Sequence, residues 1–332
     1  MTRHLPISAT TTPSSQAAQV LRALALDEDL KQRIPQDPIL GPLARKVARR
    51  YVAGENLTAA LERATSILAA GHRANVEYMG ESCRDPQRAT EETDVFLDAA
   101  RLLPPNCSIS LDLTHIGLAV DEELALANAT RLAQATADTG REMIISAEGS
   151  DRTDAVLAVH RALCQSFDHV GVTVQARLHR TAEDLPRLLS LPGRIRLVKG
   201  AFLEPETIAY PREDPALATA YLDHAKRLAD SGHLCSFATH DWDLIHQIDR
   251  HLSTRGPEST EAPGSTRAAE ATTPWEFETL LGLGPDRLDA MAERGHPTRE
   301  YIVFGTEWWL YVCNRIAEDP QRLLQALVDA AS

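Results

Sequence analysis

Apolar residues fall at two spacings along this chain, and the spacing changes near residue 74. Over residues 17–26, 39–51 and 57–70 they recur every three or four positions, the interval that gives a helix one apolar face. Residues 17–73 are therefore predicted to form an N-terminal helical segment. A Thr-, Ser- and Pro-rich stretch over residues 1–16 precedes it and is expected to be a disordered lead-in. From residue 74 onward, short β-branched runs alternate with amphipathic stretches. Strands are predicted at 74–79, 108–113, 142–147, 170–176, 194–199, 234–239, 275–280 and 300–304, separated by helical patterns at 86–102, 120–138, 152–165, 214–231, 241–252 and 306–330. Eight strand–helix units over residues 74–332 predict an α/β fold of the (β/α)8 barrel type. The main rival is an open doubly wound sheet, but no glycine-rich dinucleotide turn follows any strand. Residues 253–274 carry almost no apolar side chains and read as a mobile insertion. The insertion joins a helix to the next strand, which puts it on the barrel face away from an active site.

Composition narrows the function. The chain has 332 residues, 43% of them hydrophobic, enough for one large barrel with a small extension. A formal net charge of −13 argues against a nucleic-acid footprint. No apolar run approaches the roughly 20 residues of a transmembrane segment, and residues 1–16 lack the apolar core of a secretory signal. Cys83, Cys107, Cys164, Cys235 and Cys313 are odd in number and scattered without a C-x-x-C spacing, which suits free thiols in a reducing cytoplasm. No His, Cys and carboxylate cluster has metal-ligand spacing.

In a barrel, residues at the C-terminal ends of the strands face the active site. Here those positions hold Glu81 and Arg84, Asp112 and His115, Ser146 and Glu148, Gln175 and Arg177, Arg196 and Lys199, Thr239, His240 and Asp241, and Tyr301. The last helix adds Asn314, Arg315 and Glu318. Any one of them alone is an ordinary solvated loop residue, but a polar ring supplied by seven strand ends marks a site. The run Arg196-Leu197-Val198-Lys199-Gly200-Ala201 delivers two cations and a tight turn to one point, an arrangement that suits an anionic or electron-accepting ligand. Lys199 taken alone also fits a Schiff-base lysine. His72 and His115 carry no motif, and Trp308 and Trp309 read as packing residues.

Over about Val76 to Pro320 the chain resembles the proline dehydrogenase family, most closely its monofunctional bacterial type. The resemblance rests on Gly80-Glu81, Gln175-Ala176, the run from Arg196 to Phe202, Ala238-Thr239-His240, Tyr301 with Gly305, and Arg315 with Glu318, in that order. It implies a flavin-binding (β/α)8 barrel with FAD as cofactor, oxidising L-proline to 1-pyrroline-5-carboxylate and passing electrons to a quinone or another acceptor. It further implies that Gln175, Arg196, Val198, Lys199, Gly200, Ala201, Thr239 and His240 bind FAD. Arg196 would lie near the redox-active nitrogen, Leu280 and Tyr301 against the substrate, and Arg315, held by Glu318, on the substrate carboxylate. A quinone acceptor implies peripheral contact with the inner face of a membrane by a cytoplasmic protein.

Three positions depart from the family pattern. A lysine of the second strand is replaced by Asp112, an aspartate of the third by Ser146, and the first arginine of an Arg-Arg pair by Asn314. Phe202, in place of the usual tyrosine, is a milder change. With Arg315 and Glu318, the family pattern at these five positions sums to one positive charge and this chain's to one negative charge. Two readings follow. Either Asp112 does the work of the missing aspartate and Arg315 alone holds proline, or the substrate is a different amine. A non-catalytic or repurposed ligand-binding barrel is the alternative to an enzyme, and a lyase using Lys199 is a third reading.

Overall fold

The structure, a computed structural model, describes residues 13–80, 82–254 and 273–331. Eight parallel strands close into a barrel in chain order: β1 (Arg73–Tyr78), β2 (Cys107–Leu111), β3 (Met143–Ile145), β4 (Val170–Gln175), β5 (Ile195–Val198), β6 (Cys235–Ala238), β7 (Trp275–Leu280) and β8 (Thr298–Phe304). β8 pairs with β1 to shut the ring, with Tyr301 opposite Asn75 and Phe304 opposite Tyr78. All eight predicted strands are present, with ends shifted by a few residues.

Helices α1 (Pro13–Ala25), α2 (Glu28–Gln36), α3 (Leu40–Ala48) and α4 (Leu57–Ala69) precede the barrel. Between the strands lie α5 (Pro86–Leu102), α6 (Glu122–Asp138), α7 (Thr153–Leu163), α8 (Thr181–Leu188), α9 (Pro215–Ser231), α10 (Trp242–Ser253) and α11 (Pro285–Glu293). The chain ends in α12 (Trp308–Glu318) and α13 (Arg322–Ala331). Side chains of Asp85, Asp121, Asp214 and Asp241 accept from first-turn N–H groups of the helices they precede. Pro86 and Pro215 occupy first helical positions, where a missing N–H costs nothing.

The boundaries differ from expectation in a few places. α1 begins at Pro13, inside the stretch expected to be a lead-in. Residues 1–12 of that lead-in, residues 255–272 of the expected insertion, and Glu81 lie outside the described residues. The single helix expected over 306–330 is two, because Asp319 is extended (φ −144°, ψ 96°) ahead of Pro320; a residue before proline is pushed out of the helical region. α2 and α8 are only 9 and 8 residues long and each contains a proline, which hides their periodicity.

Strand residues alternate between the helices and the barrel interior. Ile195 and Leu197 of β5 and Phe277 of β7 join the apolar layer under the helices, while Arg196 and Glu278 meet inside the barrel. At the N-terminal ends of the strands, buried Glu276 accepts from Arg299 Nε (2.7 Å) and Ser236 Oγ (2.6 Å). Arg299 also reaches Glu142 Oε2 at 2.9 Å and Ser108 Oγ at 2.7 Å. This ionic plug closes the bottom of the barrel and leaves the opposite end for the site.

The N-terminal helices are tied to the last two helices. α1 packs along α12 and α3 against α13. Trp309 Nε1 donates to Leu24 O at 2.9 Å, and Trp308 Nε1 to Glu55 Oε1 at 3.1 Å. Arg50 makes two bonds to Asp329, at 2.6 and 2.7 Å. The helical segment thereby braces α12, the helix that carries Asn314, Arg315 and Glu318.

Candidate active site

A cavity of about 630 Å³ opens at the C-terminal end of the barrel, within the range of ordinary cofactor and substrate sites. Its lining contains Asp112, Ser146, Gln175, Arg196, Val198, Lys199, Gly200, Ala201, Thr239, His240, Leu280, Tyr301, Asn314, Arg315 and Glu318. The residues given a cofactor or substrate role from the sequence thus face one space, although they come from seven strand ends and one helix; Arg84, His115, Glu148, Arg177 and Asp241 of the strand-end ring are not in its lining, and Glu81 lies outside the described residues.

Arg196 sits in its floor. Alternation along β5 sends the side chain inward, where Nε donates to Glu278 Oε1 at 2.6 Å. Its guanidinium carbon lies 4.4 Å from the centre of the Tyr301 ring, within cation–π range. Arg196 is 7% exposed, Tyr301 5% and Glu278 1%, so the charge pair is almost dry.

Beside it stands a group of carboxyls. Glu77 ends β1 and accepts from Ser146 Oγ at 3.2 Å. Burial pushes its carboxyl up to about 7; Arg196 and the Ser146 hydroxyl pull it down, and the charges of Glu148 and Glu278 push it further up. Asp112 is raised well above the ordinary range by burial and then by Glu77 and Glu148. Glu148 is also raised, burial outweighing the N–H of Thr114, which donates to it at 3.0 Å. Carboxyls this near one another oppose each other's ionisation, and burial adds to the cost, so all three are shifted toward the neutral form.

The mouth is shaped by the turn after β5. Gly200 has φ +109°, and a Cβ there would lie 2.7 Å from Arg177 Cγ and 2.9 Å from Gln175 Oε1, so this close approach needs glycine. Gln175 donates through Nε2 to Glu148 O at 2.9 Å, while its Oε1 is buried with no partner. A buried acceptor without a donor is expensive, and this one lines the cavity. Lys199 Nζ pairs with Asp241 Oδ2 at 2.7 Å, its side chain 38% exposed at the rim. Burial alone would raise the Asp241 carboxyl, but Lys199 and the N–H groups of Leu244 and Asp243 hold it below its ordinary range. Burial lowers the His240 imidazole to about 4, so it lines the cavity as a neutral ring.

On α12, Arg315 Nη2 pairs with Glu318 Oε1 at 2.8 Å and its guanidinium lies 5.2 Å from the Tyr311 ring centre. This is the pairing expected of residues three apart on one helix face. The Tyr311 hydroxyl is buried without a partner, and burial pushes it up to about 12.

Glu77, Glu278 and Tyr311 were not among the sequence-derived candidates. One signal was available: in Trp275-Glu276-Phe277-Glu278 carboxylates alternate with aromatics along a strand. Such a strand must turn charge into the barrel and therefore needs buried cations to meet it.

Comparison with known proteins bears on the family. The family profile described as "Proline dehydrogenase" matches residues 60–311. The chain belongs to the proline dehydrogenase family. It is 30% identical over 276 residues to "Proline dehydrogenase 1" of Bacillus subtilis (strain 168), covering 82% of this chain and 87% of that one. It is 29% identical over 303 residues to "Proline dehydrogenase" of Deinococcus radiodurans, covering 87% and 92%. Among solved structures it resembles proline utilization A (PutA) from Bdellovibrio bacteriovorus, with a TM-score of 0.75 and 15% identity over 92% of this chain. The chain spans 37% of that longer polypeptide, and at this identity the likeness speaks for the barrel fold alone. Proline dehydrogenases are a flavoenzyme family, and the site has features that fit a flavin: the unpartnered Gln175 acceptor, the side-chain-free Gly200 turn and a buried guanidinium.

Proposed function

We propose that this chain is an FAD-dependent dehydrogenase that oxidises a C–N bond of proline or a proline-like secondary amine to the imine. Beyond family membership, the observation that carries this reading is the convergence of Gln175 Oε1, the Gly200 turn and the Arg196 guanidinium on one cavity. Gln175, Arg196, Val198, Lys199, Gly200, Ala201, Thr239 and His240 would hold FAD. The bound flavin would supply the hydride acceptor.

The chain's own groups do the rest. Arg196 offers a dry positive charge to the negative charge that arrives with the hydride, where low dielectric makes it most effective. Hydride leaves readily only from a carbon beside an unprotonated amine. In their ionised form Glu77, raised to about 7, and Asp112, raised well above its ordinary range by burial and by Glu77 and Glu148, are suited to take the ammonium proton. Leu280 and Tyr301 pack against the substrate and keep water out, while Ser146, Asn314, Arg315 and Glu318 complete its pocket. Lys199 suits a Schiff-base role poorly, since it is tied to Asp241 at the exposed rim rather than desolvated. Electrons would leave to a quinone or other acceptor, at the cytoplasmic face of a membrane. No helix among the described residues is long and apolar enough to cross one.

The visible spectrum of the purified protein tests the reading. Oxidised-flavin bands that bleach anaerobically under a secondary amine support it. A colourless protein that refuses added FAD rejects it. Retained bands that no amine bleaches favour a ligand-binding barrel, and borohydride trapping at Lys199 favours a lyase.

A further inference from the structure

The cavity is polarised across its mouth. Arg196, Lys199, Arg315 and Glu307 in its lining are engaged by Glu278, Asp241, Glu318 and Lys31. Among the described residues, Glu77 of β1 and Asp112, just after β2, have no ion-pair partner, and neither have Arg22 of α1 and Arg212 of the loop between β5 and α9. Glu213, beside Arg212, also lines the cavity, but it is exposed and pairs with neither arginine. In a ring closed in chain order β5 stands four places from β1 and three from β2, so the loop after β5 faces the free acids across the mouth.

A second observation points to a ligand on the arginine side. Arg212 Nε, Arg315 Nε and the Tyr311 hydroxyl are buried without a hydrogen-bond partner, and all three residues line the cavity. Arg212 is anchored over the turn by donating through Nη2 to Ala201 O. Burial, and then the charges of Arg22, Arg177 and Arg315, lower its proton affinity, with Glu318 opposing them. Stranded donors among unneutralised guanidinium groups call for an anion rich in acceptors.

We propose, resting on the dehydrogenase reading above, that Arg22 and Arg212 join Arg315 in binding an acid group of the substrate, and that this group stands farther from the reacting amine than the carboxylate of proline does. The amine is met by Glu77 and Asp112. Proline carries its acid on the carbon next to nitrogen and so presents both charges at one end of the molecule. On the resemblance read from the sequence, cations would stand at the positions of Asp112 and Asn314; here the free cations come instead from α1 and the β5–α9 loop. The acid grip has thereby moved across the mouth. The substrate class that fits is a proline-type ring whose acid is carried on an arm, as when the carboxyl of proline is linked to a small amino acid.

The test is anaerobic flavin bleaching of the FAD-loaded protein by amines that share one ring: L-prolylglycine with its acid on an arm, L-proline with its acid on the ring, and L-prolinamide with none. L-Prolylglycine is expected to half-saturate bleaching at a concentration at least about tenfold below the other two, the scale of one contact charge in a partly dry site. Arg212→Gln is expected to narrow its lead over L-prolinamide by about the same factor; Arg22→Gln serves if that variant folds poorly. Arg22→Lys keeps the charge and should retain most of the lead. Half-saturation at a lower concentration by L-proline or L-prolinamide, or a lead undiminished in both glutamine variants, overturns the inference. So does loss of FAD from either variant, since the arginines would then serve the cofactor phosphates. Those results come from a protein whose flavin an amine bleaches. A colourless protein, or a yellow one that no amine bleaches, is failure of the dehydrogenase reading itself, and the inference falls with it.

Discussion

Arg196 is bonded to Glu278 at 2.6 Å while its guanidinium lies 4.4 Å from the centre of the Tyr301 ring. The two contacts fix a dry cation in one orientation on the cavity floor. Removing it takes away the positive charge and leaves Glu278 buried without its partner, a loss of about 3–5 kcal/mol in comparable buried pairs. Arg196→Ala is therefore expected to weaken FAD retention or to slow flavin reduction by a substrate amine. Flavin content after gel filtration and stopped-flow reduction check both; wild-type values for each would show that Arg196 has no part in the cofactor site.

The charges that define the pocket also make a constructive prediction. On the resemblance read from the sequence, Asp112 would stand in place of a lysine and Asn314 in place of an arginine. Poor turnover of L-proline is expected from the natural chain. Asp112→Lys combined with Asn314→Arg is expected to raise kcat/KM for L-proline by at least about tenfold, since one opposite charge at contact is worth a few kcal/mol at an effective dielectric near 20. The gain should appear mostly in KM, because the new cations hold a group that does not react. No gain from the double change would mean that charge does not limit proline binding here.

Much of this was legible in the sequence, for physical reasons. The strands of a parallel barrel are buried on both sides, so they stand out as short β-branched runs. The Arg196–Ala201 turn combines residue types that packing alone does not ask for. What stayed hidden is non-local. Arg196 and Glu278 are 82 positions apart, and no spacing rule joins them. Strand ends could be enumerated from the pattern, but which carboxyl faces which cation depends on the register in which the barrel closes. Lys199 shows the same limit: its charge was visible, and its engagement by Asp241 was not.

The opposite end of the barrel provides a control. Glu276 is fully buried among Arg194, Arg299 and Ser236, and those partners hold its carboxyl well below the ordinary range in spite of the burial that would raise it. Glu276→Ala leaves Arg194 and Arg299 to share Glu142 and removes the buried centre of the plug, so unfolding free energy should fall by about 3 kcal/mol. FAD binding measured well below the new Tm should stay near wild type, because the plug lies at the end of the barrel away from the cavity. A variant with unchanged Tm would remove the ionic plug from the account of stability.

Glu77 links the site to stability through pH. Its carboxyl is raised by burial from 4.5 to about 7 in the folded chain. Between those values the folded state keeps a proton that the unfolded state has lost, so stability falls as pH rises through this window. Below about pH 4.5 both states hold the proton and the group contributes no pH dependence. Above about pH 7 both have lost it and the cost is complete, on the order of 3 kcal/mol at 1.36 kcal/mol per pH unit. Glu77→Gln keeps the shape and removes the charge. It should leave stability nearly unchanged at pH 4 and increase it by about 3 kcal/mol at pH 8. Urea unfolding at the two pH values measures the difference. An equal effect at both would mean that Glu77 ionises as it does in water, and the picture of an acidic pocket holding its protons would fail with it.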